Sequence, residues 1–331
     1  MSDAAPLLDI ADLCVDFVTR EATVHAVSGA DIRLQSGEVL CLLGESGSGK
    51  SVTLRAIMRL LPPARARITG RITLEGRDVL SLDGAALRQF RGGSVAMIFQ
   101  EPMTALDPVY TIGQHLIEAI RRHKGGSRAQ ARARALELLD LVKIPSPERR
   151  IDAYPHELSG GLRQRAMIAL ALSCGPRLLL ADEPTTALDA TVQIQVLVLL
   201  RRLQKDLGMS TIFVTHDLGV AAEIADRVAV MYAGRIVEEG PVAELLRAPA
   251  HPYTAGLLAS TIHDQAPDAD IAAIPGSPPD LRRLPPGCSF APRCALAMPA
   301  CRQGFPAAVH PAPNRMARCL RTEDVLARAL A

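Results

Sequence analysis

Eight consecutive residues, Gly44-Glu45-Ser46-Gly47-Ser48-Gly49-Lys50-Ser51, have the types and order that hold a polyphosphate. Gly44, Gly47 and Gly49 let the backbone curl until successive N–H groups point at one anion, and a helix starting at the end of the loop adds the positive end of its dipole. Lys50 supplies a mobile charge for the β- and γ-phosphates, and the Ser51 hydroxyl can complete a Mg²⁺ shell. The bland alternative, a flexible glycine-serine turn with an incidental lysine, is disfavoured by the flanks: an apolar run before and a helical pattern after. Such a loop also needs a second oxygen ligand for magnesium and a group that aims water. Leu178-Leu179-Leu180-Ala181-Asp182-Glu183 ends an apolar strand in two acids, which places both carboxylates at the carboxyl edge of a sheet. Asp182 is placed for Mg²⁺, directly or through water, and Glu183 for polarising the attacking water as a general base.

Both motifs need a sheet to present them. Val39–Leu43, Val95–Phe99, Arg177–Ala181 and Ser210–Thr215 are short apolar runs without alternation, the pattern of parallel strands covered on both faces. Arg71–Val79 and Arg227–Val237 read as hairpins turning at Glu75-Gly76 and Ala233-Gly234. Helical spacing runs over Ser51–Leu61, Thr111–Lys124, Arg128–Val142, Gly161–Ser173 and Thr191–Leu207. Strands alternating with helices predict an α/β domain.

Composition narrows the function. The 331 residues carry 37 basic and 35 acidic side chains, a net charge of +2, which argues against a dedicated nucleic-acid binder. No run approaches the roughly 18 apolar residues of a membrane-spanning helix. The N-terminus has no basic segment followed by an apolar one, so no signal peptide is expected and a reducing, cytosolic setting is. Proline and cysteine are unevenly spread: 11 of 24 prolines fall between Pro267 and Pro313, and four of seven cysteines, Cys288, Cys294, Cys301 and Cys319, lie in the tail. Cys14, Cys41 and Cys174 sit in apolar segments and read as core residues.

Leu158-Ser159-Gly160-Gly161-Leu162-Arg163-Gln164-Arg165 resembles the LSGGQ-type signature of ATP-binding-cassette ATPases, with Leu162 where glutamine is usual and Gln164 as the matching amide. The family's other motifs occur in order. Gln100 resembles the Q-loop glutamine, Ala187-Leu188-Asp189 the D-loop, and His216 the switch histidine; Phe17 resembles the aromatic that stacks on adenine. The resemblance implies that Ser159, Gly160 and Gly161 bind the γ-phosphate of ATP held by an opposite protomer, so that hydrolysis requires a dimer. It implies that Gln100 joins the Mg²⁺ and water shell and that His216 hydrogen-bonds the γ-phosphate. The implied fold is α/β: a P-loop NTPase with a mixed-sheet core, a helical subdomain over about 101–175 and an N-terminal antiparallel β-subdomain, followed by a small irregular Cys/Pro-rich module.

His251-Pro252-Tyr253-Thr254 and Cys288-Ser289-Phe290-Ala291-Pro292-Arg293-Cys294 are similar to the C-terminal extension of oligopeptide and dipeptide importer ATPases. The chain then divides into an ATPase domain over 7–260, a proline-rich linker over 261–287 and the extension over 288–331. The tail cysteines are spaced C-x5-C-x6-C-x17-C, too loose for ordinary zinc knuckles. Four such thiolates can ligate a [4Fe-4S] cluster, as the resemblance implies for some members; four reduced, unliganded cysteines are the alternative. The expected partners are a second, nonidentical ATPase subunit (or a second copy), two transmembrane permease subunits docking near Glu101–Tyr110 and Tyr154–Glu157, and indirectly a periplasmic or extracellular peptide-binding protein. The chain would then sit peripherally on the cytoplasmic face of the cell membrane. Rival readings are nickel, glutathione or antimicrobial-peptide cargo, or a soluble cassette ATPase of DNA repair or translation.

Overall fold

The computed structural model describes residues 5–101, 105–186, 188–260 and 273–329. Their contacts separate into two compact units, one made of Met1–Leu34, Val39–Leu80 and Val214–Ala331, the other of Gln35–Glu38 and Ser81–Phe213.

In the first unit β1 (Leu8–Val18), β2 (Thr23–Leu34), β4 (Ala66–Leu74) and β5 (Arg77–Asp78) form an antiparallel sheet in the order β2-β1-β4-β5. Along β2, Ala30, Ile32 and Leu34 are buried while Asp31 and Arg33 are exposed, the period of two expected where one sheet face packs and the other stays wet. The unit's second sheet is mixed. Its centre is the parallel pair β3 (Val39–Leu43) and β9 (Arg227–Tyr232), in register from Leu40 opposite Arg227 to Leu43 opposite Val230. The antiparallel strands β10 (Arg235–Pro241), β12 (Arg315–Ala317) and β11 (Val309–Ala312) extend it outward from β9. Every residue of β3 is buried, which is why that strand carries no polar face. Helices α1 (Lys50–Ile57), α8 (Leu218–Ile224), α9 (Val242–Arg247), α10 (Pro252–Ala259) and α11 (Thr322–Ala329) belong to this unit.

In the second unit β6 (Val95–Ile98) runs parallel to β7 (Leu178–Asp182), with Val95 opposite Leu178, and both are buried throughout. The strand beside β7 is β8 (Ser210–Thr215), which belongs to this unit through Phe213. Around these strands lie α2 (Gly84–Gln89), α3 (Ile112–Lys124), α4 (Arg128–Leu141), α5 (Pro147–Arg150), α6 (Gly160–Leu172) and α7 (Ala190–Leu207). α3 and α4 begin on reciprocal capping boxes, Thr111 with Gln114 and Ser127 with Gln130, each satisfying two otherwise unpaired N–H groups.

Both expected hairpins are present, and their turns explain why. Glu75 and Gly76 have φ of 49° and 75°, and Ala233 and Gly234 have 47° and 79°, the pair of left-handed residues that matches the twist of two antiparallel strands. β4, however, starts at Ala66, earlier than the Arg71 at which alternation becomes visible. The tail is also more regular than its composition suggests. β12 pairs with β10, Ala317 opposite Glu238, and is anchored by Arg315, whose Nη2 donates to the buried Glu238 carboxylate at 3.0 Å and to Ala248 O at 2.6 Å. Glu238 also accepts from the N–H groups of Ala250 and His251 at 2.7 and 2.9 Å. A strand whose pairing depends on a partner some 80 positions away leaves no local pattern to read.

Candidate active site

β3 runs straight into the Gly44–Ser51 loop, and α1 begins at Lys50, so the strand, loop and helix follow one another as the motif requires. At Gly49, φ is 106° and a Cβ would lie 2.5 Å from Ala26 O, so only glycine fits there. Lys50 is 4% exposed, and its Nζ donates to the carbonyls of Gly44 at 2.6 Å and Glu45 at 2.9 Å. The ammonium is therefore held inside the loop it serves. Ser46 and Gly47 are exposed, Ser48 is buried with its N–H on Glu45 O at 3.2 Å, and Ser51 is half-buried in the first turn of α1. Cys41, in β3, is fully buried, which pushes its thiol well above the usual range despite the nearby Lys50 charge. Phe17 is half-buried in β1, paired with Val24 of β2 and Ala66 of β4. His216 follows β8 and is exposed, next to Asp217, which caps α8 through Gly219 and Val220 N–H.

In the second unit β7 ends in Asp182, which is 2% exposed, and the chain then bends sharply, Glu183 taking φ of 44°. A non-glycine residue in that region is strained by roughly 1 kcal/mol or more. The Glu183 carboxylate accepts from Gln100 Nε2 at 3.3 Å and from Thr186 Oγ1 at 3.0 Å. Two residues expected from the sequence to work together, Gln100 and Glu183, are thus in contact. Thr186 was not expected. Its only signal was a hydroxyl three positions after the acid, the reach of one turn.

Ser159 and Asp189 both sit at helix starts. Ser159 Oγ accepts from Leu162 N–H at 3.4 Å to cap α6, and Asp189 Oδ1 accepts from Val192 N–H at 3.0 Å to cap α7. Ser159 and Gly160 are exposed, so the signature presents its hydroxyl and first glycine outward. A Cβ at Gly161 would come within 2.7 Å of Val192 Cγ1, which requires glycine where α6 begins against α7. Gln164 is 1% exposed, and its Nε2 has no hydrogen-bond partner among the described residues. It points into the protein, unlike Ser159. Ala187 of the D-loop lies outside the described residues, as do 102–104 in the expected docking region.

Cys288, Cys294, Cys301 and Cys319 line one small cavity together with His251, Phe290 and Leu296. Burial pushes the thiols of Cys288 and Cys294 up, and that of Cys319 up to about 11. Among the described residues no group of three or more His, Cys, Asp or Glu side chains is arranged to hold a metal ion. The four cysteines converge, but not as a preformed metal site.

Comparison with known proteins finds two family models along the chain. The family model described as ABC transporter matches residues 27–186, and that described as oligopeptide/dipeptide transporter, C-terminal region, matches 237–301. A putative peptide import ATP-binding protein of Brucella melitensis biotype 1 is 50% identical over 334 residues, covering 97% of this chain and 99% of the relative. A probable peptide ABC transporter ATP-binding protein of Sinorhizobium fredii is 48% identical over 97% of this chain and 96% of its own length. Among solved structures, the ATP-binding cassette MJ0796, a dimer in a post-hydrolysis state bound to ADP and Pi, is 28% identical with a TM-score of 0.64, over 71% of this chain and 98% of that one. The cbiO1 protein of Clostridium perfringens, part of the cbiONQ ABC transporter complex, is similar at 28% identity and TM-score 0.62, over 73% and 91% of the two chains.

Proposed function

The chain belongs to the ATP-binding-cassette family of peptide-import ATP-binding proteins, and from that premise we propose how its own residues divide the work. It is the ATP-binding subunit of a peptide importer, an ATPase whose hydrolysis is coupled to transport through membrane permease partners and whose ATPase domains dimerise. The observation that carries this is the presence in one chain of both family matches, with peptide-import relatives aligned across nearly the full length of both partners. The soluble DNA-repair or translation reading draws no support from the same comparisons.

Lys50 and the loop N–H groups bind the β- and γ-phosphates of ATP. Mg²⁺ requires hard oxygen ligands, and the donors offered, the Ser51 hydroxyl and the Asp182 carboxylate with the Gln100 amide, are of that kind. When bound, the ion neutralises charge on the transferred phosphoryl group. Glu183 takes a proton from the attacking water; Gln100 and Thr186, bonded to its carboxylate, hold it in the orientation for that transfer. His216 donates to the γ-phosphate, Phe17 stacks on adenine, and Ser159, Gly160 and Gly161 with Asp189 complete the site of an opposite protomer. Outward exposure of Ser159 and Gly160 supports that last role.

The finer organisation is proposed with it. The opposite protomer is a nonidentical ATPase subunit, the chain divides near 260 and 288, and it works on the cytoplasmic face of the membrane. No helix of the described residues is long and apolar enough to cross one. The permeases dock around Glu101–Tyr110 and Tyr154–Glu157; among the described residues there, Val109, Tyr110 and Tyr154 are exposed at 69, 49 and 39%. A [4Fe-4S] cluster on Cys288, Cys294, Cys301 and Cys319 is supported by the resemblance, their spacing and their shared cavity, and no hydrolytic step runs through it. Iron and sulfide in stoichiometric amounts after anaerobic purification would establish it, and zinc or no metal would remove it. Isolation of the chain from native membranes tests the whole reading. Two permeases and a second ATPase should accompany it; a soluble, solitary protein would contradict it.

A further inference from the structure

The loop residue Glu45 is held from three sides, two of them by residues outside every nucleotide motif. Its N–H donates to Tyr253 Oη at 2.8 Å. Its carboxylate accepts both Nη1 and Nη2 of Arg293, at 2.8 and 3.1 Å. Its carbonyl accepts from Lys50 Nζ at 2.9 Å, the charge that serves the phosphates. Glu45 therefore links the tail of the chain to the interior of the phosphate-binding loop.

The two tail-side partners are themselves fixed. The Arg293 side chain is 6% exposed, and its Nε donates to Pro275 O at 2.9 Å. Its guanidinium carbon lies 5.9 Å from the ring centres of both Tyr232 and Phe290. Tyr253 is fully buried, its ring 4.6 Å from Tyr232 and 5.4 Å from Phe290. Phe290 and Arg293 come from the segment that carries Cys288 and Cys294, so the clamp and the cysteine cavity share one piece of chain. A solvent-exposed ion pair would be too weak to hold a loop in place. This one is bidentate, with the arginine buried and 27% of the Glu45 side chain still exposed; two parallel N–H donors on one carboxylate fix its orientation as a single contact does not.

The chemistry gives the clamp a purpose. A carboxylate at the second position of a polyphosphate loop repels the ligand the loop exists to hold. Arg293 neutralises that charge and turns it toward the tail, while Tyr253 fixes the backbone whose carbonyl receives Lys50. We propose that Arg293 and Tyr253 are positioning residues for nucleotide binding, acting on the phosphate-binding loop through Glu45. The inference rests on the ATPase reading above and extends it to the C-terminal segment.

The test is steady-state ATP hydrolysis by the assembled transport complex, with kcat and KM for ATP measured separately. Arg293→Gln should raise KM about tenfold while kcat per folded complex changes by less than about twofold. Arg293→Lys, which keeps the charge, should recover most of the loss. Glu45→Gln combined with Arg293→Gln should lie closer to wild type than Arg293→Gln alone, because the repelling carboxylate is gone. Tyr253→Phe keeps the ring packing and removes only the acceptor; it should raise KM about threefold. If Arg293→Gln does not fold, Tyr253→Phe carries the test. An unmoved KM in folded Arg293→Gln or Tyr253→Phe, with only the melting temperature lowered, would overturn the proposal and leave Arg293 a structural residue. Wild-type complex assayed alongside separates the two claims: no turnover there refutes the ATPase reading, whereas turnover with unmoved variants refutes the clamp.

Discussion

Glu183, the proposed general base, is held in place by its backbone and by two neighbours. Its backbone occupies φ of 44°, and its carboxylate is fixed by an amide at 3.3 Å and a hydroxyl at 3.0 Å. Strain at one residue persists only where neighbours over-determine it, and here it directs the side chain from the end of β7 toward Gln100. Thr186→Val removes the hydroxyl bond and keeps the shape. It should lower kcat by about tenfold with little change in KM for ATP, since the base is misaligned while the phosphate loop is untouched. Lys50→Ala acts on the other step. Without the ammonium held at the Gly44 and Glu45 carbonyls, equilibrium binding of ATP should be lost, and a variant that binds ATP as wild type does would refute the role given to Lys50.

At the scale of elements, the residues expected to recognise nucleotide also build the helices that present them. Ser159 caps α6 and Asp189 caps α7. Ser127, which caps α4, offers a control. Ser127→Ala and Ser159→Ala should each cost about 1 kcal/mol in thermal unfolding, the usual loss of an N-cap. Only Ser159→Ala should also reduce ATP turnover. Equal turnover in the two variants would reduce Ser159 to its capping role. The same elements show what a sequence discloses. Val39–Leu43 and Ser210–Thr215 were legible to the residue because strands covered on both faces must be apolar throughout. The two hairpins were legible because a glycine marks each turn. Thr186 was missed although Glu183 lies only three positions before it; Tyr253 and Arg293 were not legible as site residues, since their partners are reached only through the fold. β11 and β12 were hidden for the same reason: their regularity comes from pairing at the edge of β10.

For the whole molecule, the tail is tied into the unit that carries the phosphate-binding loop by two arginines. Arg293 reaches Glu45, and Arg315 reaches Glu238, a pair 7% and 0% exposed. Arg315→Met should leave a buried carboxylate short of its cation and destabilise this unit by about 3–5 kcal/mol, seen as a lower melting temperature. Adding Glu238→Gln should return much of that loss, and a double variant no more stable than the single one would contradict the pairing. What the assembled chain does with its ATP is the central claim, and Glu183→Gln in the complete importer, reconstituted in liposomes, tests it most directly. Uptake of a labelled peptide and ATP hydrolysis should both fall by at least about a hundredfold while ATP binding persists. Peptide uptake or hydrolysis at the wild-type rate would contradict the account.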